Sequence, residues 1–161
     1  LRAAAFGMRV AYFDPYLTSE NTALEALRSK SLDELLAIAD CVSIHVPLND
    51  ETYRLIDSER FAQMKTGAIL INTSRGGIVD ERALIHHLKT GHIGGAALDV
   101  FEEEPVGAGH PLVEHARFSG TPHIGASTHE AQRRVGMDIA SAVLETLHTG
   151  ACPTVVNRDV L

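Results

Sequence analysis

The stretch AILINTSRGGIVDERALIHHLKTG, residues 68–91, decides the fold. Its first part, AILINTS, is a short apolar run rich in β-branched residues, as a strand buried on both faces would be. DERALIHHLKTG then carries apolar residues at helical spacing, with Asp80 placed to cap the start and Gly91 to stop the end. Between strand and helix sits Ser74-Arg75-Gly76-Gly77, a fixed cation beside two glycines. A strand that passes through a short turn into a helix is the unit of a parallel α/β sheet.

The same alternation runs outward in both directions. LRAAAFG reads as the end of a helix stopped at Gly7, and MRVAYFDP as a strand closed by Asp14-Pro15. SLDELLAIAD places Ser31 as a helix cap with Glu34 at the capping-box position. CVSIHVPL is a strand closed by Pro47, and SERFAQMKTG a helix capped by Ser58 and stopped by Gly67. GGAALDVF and RFSGTPHIG supply two more strands. The longest helix follows Thr128, and the tail 151–161 is expected to be extended. The predicted fold class is α/β, a Rossmann-type doubly wound parallel sheet.

Bulk properties narrow the function classes. The 161 residues are 45% hydrophobic and 22% charged, an ordinary globular composition. A net charge of −7 with no basic patch argues against nucleic acid as a partner. No apolar run approaches the roughly 20 residues that cross a bilayer, so no membrane partner is expected. Two cysteines, Cys41 and Cys152, make neither a disulfide framework nor a metal set and read as reduced thiols of a cytoplasmic protein. Nine histidines are present. His86, His87 and His92 cluster in sequence, but adjacent helical residues point about 100° apart, so no metal site is expected.

In a doubly wound sheet ligands bind beyond the carboxyl ends of the strands. The residues there are Asp14, His45 to Pro47, Thr73 to Gly77, Asp99 to Pro105 and His123 to Gly125. Asp14 suits either the ribose hydroxyls of a dinucleotide or a turn before proline. Arg75 could hold a carboxylate through two parallel hydrogen bonds, with Gly76 and Gly77 leaving room for a substrate, or be a surface arginine in a turn. Glu104, before Pro105, either points back toward the cleft or stays in a solvated acidic loop. His123 is a candidate proton carrier or a structural loop histidine.

FGMRVAYFDP, CVSIHVPLNDETYRLID, MKTGAILINTSRGGIVDERAL, GGAALDVFEEEP and TPHIGAST together resemble the D-isomer-specific 2-hydroxyacid dehydrogenases. The resemblance covers nearly the whole chain, and its S-R-G-G, D-V-F-x-x-E-P and P-H-I-G motifs are highly specific. It implies NAD as cofactor and a small 2-keto or 2-hydroxy acid as substrate. It also implies catalytic roles for Arg75, Glu104 and His123, with His123 exchanging the proton, Glu104 paired to it, and Arg75 on the substrate carboxylate. The implied cofactor-binding set is Asp14, His45, Val46, Pro47, Thr73, Ser74, Arg75, Asp99, His123 and Gly125, and the implied assembly is a homodimer. Glu104 distinguishes the chain from the formate dehydrogenase branch, which carries Gln there.

Two departures qualify the expectation. The Gly-rich phosphate loop and its strand should lie about 20 residues before Asp14, and the family's substrate domain has no counterpart in the sequence. Residues 1–161 are therefore expected to be an NAD-binding domain incomplete at its amino-terminal end, with 151–161 leading toward the substrate domain. Losing the central first strand would separate strands two and three from the rest, and the chain alone is expected to have little activity. The same motifs also fit a nucleotide-sensing interaction module resembling the C-terminal-binding corepressors, or an inactive fragment.

Overall fold

The computed structural model describes residues 2–17 and 26–150. The expected tail at 151–161 lies outside them. The chain divides into two units, Leu1–Pro122 and His123–Leu161.

The first unit opens with α1 (Arg2–Ala5), β1 (Val10–Tyr12) and β2 (Ala26–Arg28). β1 and β2 form a parallel pair, Val10 opposite Ala26. β2 has no strand signature, since TALEALR reads as helical; pairing to β1 overrides that local preference. Next come α2 (Leu32–Ile38), β3 (Cys41–Ile44), α3 (Ser58–Gln63), β4 (Ala68–Asn72), α4 (Glu81–Thr90), β5 (Ile93–Leu98) and β6 (Phe118–Gly120). β3, β4, β5 and β6 make a four-stranded sheet in that order, every pair parallel. Parallel strands joined through helices are the Rossmann-type arrangement expected. Among the described residues no ladder joins β1–β2 to the four-stranded sheet.

Caps set the helix ends. Ser31 Oγ accepts from the amide of Glu34 at 3.1 Å, starting α2. Asp80 accepts from the amide of Ala83 at 3.0 Å, and Gly91 ends α4 in the left-handed conformation at φ 79°. For α3 the cap is Asp57, one residue before the expected Ser58, because its carboxylate takes the amide of Arg60. α3 also ends at Met64 rather than at Gly67.

Leu36 of α2, Phe61 of α3 and Leu84 and Leu88 of α4 pack with Val42, Leu70, Ala96 and Leu98 of the sheet into one core. Leu36, Phe61, Leu70, Leu84 and Leu88 are fully buried, and each such side chain contributes roughly 1.5–3 kcal/mol by leaving water. On the opposite face of β4, Ile69 keeps 45% of its surface exposed. In the second unit α5 (His129–Thr149) starts at Thr128, whose hydroxyl accepts from the amide of Ala131, and ends at Gly150 in the left-handed conformation.

Candidate active site

β4 ends on Asn72, a polar side chain only 1% exposed. Its Oδ1 accepts from the amide of Ser74 at 3.0 Å and from the Ser74 hydroxyl at 2.7 Å. Its Nδ2 donates to the carbonyl of Arg75 at 3.0 Å. One buried amide thus satisfies three groups of the turn and folds residues 73–75 back over the strand end. Arg75 projects outward, its guanidinium donating to the carbonyl of Ser74 at 2.6 Å.

The glycines after Arg75 have two different jobs. Gly77 takes φ 79°, in the left-handed region. At Gly76 the space a side chain would fill belongs to the backbone of Phe101, 1.8 Å from an added Cβ to the Phe101 oxygen. The expected room for a substrate at Gly76 is therefore taken by the next loop of the protein. That contact holds the turn carrying Arg75 against the segment carrying Glu104.

The facing wall comes from the end of β3. Ser43 Oγ and His45 Nε2 are hydrogen-bonded at 2.8 Å. The Thr52 hydroxyl donates to the carbonyl of Pro47, and Asn49 Oδ1 accepts from the amides of Glu51 and Thr52. This turn is fastened to the Arg75 side, since the amide of Arg54 donates to the carbonyl of Gly77 and that of Ile56 to Ile78. Between the walls lies an open cleft of about 530 Å³ lined by His45, Val46, Pro47, Leu48, Ser74 and Arg75. Five of those six were expected from sequence. Arg75 supplies a permanent positive charge at one side and Val46, Pro47 and Leu48 an apolar wall, which fits a flat ring next to an anionic group.

Beyond β5, Asp99 is 6% exposed and its carboxylate accepts from the Thr121 hydroxyl. Glu104 Oε1 accepts from the amide of Phe101 at 2.9 Å, folding the acidic segment onto itself. Glu102 and Glu81 exchange hydrogen bonds: Glu102 N donates to Glu81 Oε1 at 2.6 Å, and Glu81 N to Glu102 Oε1 at 3.2 Å. His110 Nε2 lies 3.4 Å from Glu81 Oε2. Burial pushes the Glu81 carboxyl above its ordinary value, and the nearby charges of Glu102 and Asp80 add to this. The Glu102 amide and His110 oppose it.

Thr73 and Asp14, in the same unit, are not part of the cleft lining. Thr73 is exposed in the turn above Asn72. Asp14 stands just past β1, where its carboxylate accepts from the amide of Tyr16 at 2.9 Å, the turn-forming role. His123 and Gly125 open the second unit, and His123 adopts φ 55°, an unusual conformation for a residue with a side chain. Sequence reasoning missed Asn72 and Glu81. The one available signal was a polar side chain closing an apolar strand. His87 stacks on Phe61 at 5.3 Å and meets Ser58 Oγ at 3.3 Å, while His92 Nε2 meets the carbonyl of Phe61 at 2.9 Å. Among the described residues no three His, Cys, Asp or Glu side chains are grouped to hold a metal ion, and no helix is long and apolar enough to cross a membrane.

Residues 1–125 match the family described as D-isomer specific 2-hydroxyacid dehydrogenase, NAD binding domain. The chain is 47% identical to the D-3-phosphoglycerate dehydrogenase of Bacillus subtilis (strain 168) over 144 residues, which are 89% of this chain and 27% of that protein. It is 42% identical to the glyoxylate reductase of Thermofilum pendens over 161 residues, covering 99% of this chain and 48% of that one. The crystal structure of the TT0316 protein from Thermus thermophilus superposes with a TM-score of 0.84 at 43% identity, across 96% of this chain and 48% of that one. The chain thus spans half or less of the length of these relatives. The matches give the corepressor-like alternative no support. The cleft at the strand ends, the motifs that build it and the match over residues 1–125 converge: the chain belongs to the D-isomer-specific 2-hydroxyacid dehydrogenase family, as its NAD-binding domain.

Proposed function

We propose that the protein carrying this chain catalyses reversible hydride transfer between NADH and a small 2-keto acid, giving the D-2-hydroxy acid. The observation that carries this reading is the cleft between His45–Pro47 and Ser74–Arg75, which sets a guanidinium beside an apolar wall at the carboxyl ends of β3 and β4. When bound, NADH supplies the hydride that adds to the carbonyl carbon.

Each residue has a distinct task. Arg75 binds the substrate carboxylate in a bidentate pair and draws electron density from the adjacent carbonyl. His123, as imidazolium, gives its proton to the carbonyl oxygen as the hydride arrives, and takes it back in oxidation. Glu104 is the partner proposed for that imidazole. His45, Val46 and Pro47 support the adenine side of the cofactor and Thr73 and Ser74 the nicotinamide side. Asp99 and Gly125 border the nicotinamide, and Asp14 receives the adenosine ribose. Holding hydride acceptor, proton donor and carboxylate clamp together converts the encounter into an oriented reaction.

The named relatives act on phosphoglycerate and glyoxylate, so short 2-keto acids bearing a small polar or anionic substituent form the proposed substrate class. A homodimer in the cytoplasm is part of the same proposal. The test is NADH oxidation by the complete gene product against glyoxylate, hydroxypyruvate and 3-phosphohydroxypyruvate. Turnover of at least one supports the reading. NADH binding without turnover of any of them would overturn it.

A further inference from the structure

We propose that Glu81 is a positioning residue for Glu104, acting through a reciprocal pair of hydrogen bonds with Glu102. The inference rests on the dehydrogenase reading above. Glu81 is the first residue of α4, and Glu102 lies two residues before Glu104 on the loop after β5. The amide of each residue donates to the carboxylate of the other, at 2.6 and 3.2 Å. Two bonds running in opposite directions fix both the separation and the twist of the two backbones, which a single bond does not. They also satisfy an amide of the first helical turn that has no partner within the helix.

The brace sits where the site needs it. Glu102 is exposed and held through both its amide and its carboxylate, whereas Glu81 is 7% exposed and provides the anchor. Beside them the Gly76 backbone lies on the Phe101 carbonyl, and the amide of Phe101 donates to Glu104 Oε1. Glu81 therefore ties α4, which begins just after the Arg75 turn, to the segment 101–104 that carries Glu104. Four ionisable groups meet here: Glu81, Glu102, Asp80 on the helix cap, and His110 facing Glu81 at 3.4 Å. A buried carboxylate facing a second carboxylate is costly. Glu81 occupies a place where an apolar residue could fill the space but could not hold the amide of Glu102.

The test compares wild type, Glu81→Ala, Glu81→Gln and Glu102→Ala in the complete gene product. Glu81→Ala and Glu102→Ala should each lower kcat for keto-acid reduction by about tenfold, with KM for NADH changed by less than about twofold. Glu81→Gln keeps an acceptor oxygen for the Glu102 amide and should restore more than about half of the lost rate. Glu102 is at the surface, so its variant keeps the test open should Glu81→Ala fail to fold. A folded Glu102→Ala protein with wild-type kcat would overturn the positioning role and leave the dehydrogenase reading standing. A wild-type protein that turns over no keto acid would overturn both.

Discussion

The backbone of Gly76 lies directly against the carbonyl of Phe101. An added Cβ at Gly76 would stand 1.8 Å from that oxygen and 2.4 Å from its carbon. Neither atom is a flexible side-chain end, so two loops would have to separate. Gly76→Ala should destabilise the fold by about 1–3 kcal/mol, as overpacking does, and shift the turn that carries Arg75. Gly77→Ala is a useful contrast. An added Cβ there has room, with Tyr53 nearest at 3.5 Å, but φ is 79°. Its cost should be about 1–2 kcal/mol, from the left-handed conformation alone. Denaturant midpoints of the two variants check this. Equal stability of Gly76→Ala and wild type would show that the loops do not meet as described.

Arg75 is the proposed carboxylate clamp. Arg75→Ala should raise KM for the keto acid and lower kcat, with a combined loss in kcat/KM on the order of a hundredfold or more. Arg75→Lys keeps the charge but loses the planar fork and should recover only a small part. Steady-state kinetics at fixed saturating NADH would measure both. An unchanged kcat/KM in Arg75→Ala would rule out the clamp.

Asn72 shapes the turn that presents that arginine. Asn72→Ala would leave the amide and hydroxyl of Ser74 and the carbonyl of Arg75 without their present partner. Unsatisfied buried polar groups cost about 1–3 kcal/mol. The expected result is a destabilised protein whose KM for the keto acid rises more than its KM for NADH. Thermal unfolding and the two KM values check it together.

His87 ties stability to pH. Burial holds its imidazole below the ordinary histidine value of 6.5, and neighbouring His92 and His86 push the same way. The folded state therefore takes up its proton less readily than the unfolded chain. Stability from this group is present above 6.5 and is lost as pH falls through the folded value. Melting temperatures between about pH 7.5 and about pH 5 should decline less steeply in His87→Gln than in wild type. Parallel curves would assign the decline to other groups.

Much of this architecture is legible in the residues themselves. Ser31 with Glu34, Asp80 with Gly91, and Thr128 each sit where side-chain chemistry sets a helix end, and the structure uses them so. The cleft residues His45, Val46, Pro47, Ser74 and Arg75 were legible because parallel sheets bind ligands at one edge, and any polar group just after a strand lies there. What escaped depends on distant partners. β2 exists through its ladder to β1, not through its own composition. Asp57 outcompetes Ser58 as a cap by one position, a choice made by packing, with Ser58 facing His87. Gly76 reads in sequence as open space and in the fold as a seat for Phe101. The exchange between Glu81 and Glu102 joins residues 21 apart, which no local pattern reveals.

Above all, this domain is proposed to carry the proton donor of a keto-acid reductase. The decisive quantity is the single-turnover rate of keto-acid reduction by the complete gene product preloaded with NADH, comparing wild type with His123→Gln. If His123 is the donor, the variant's rate falls by about 10²- to 10⁴-fold with NADH affinity retained. A His123→Gln protein that reduces the keto acid at the wild-type rate would contradict that role.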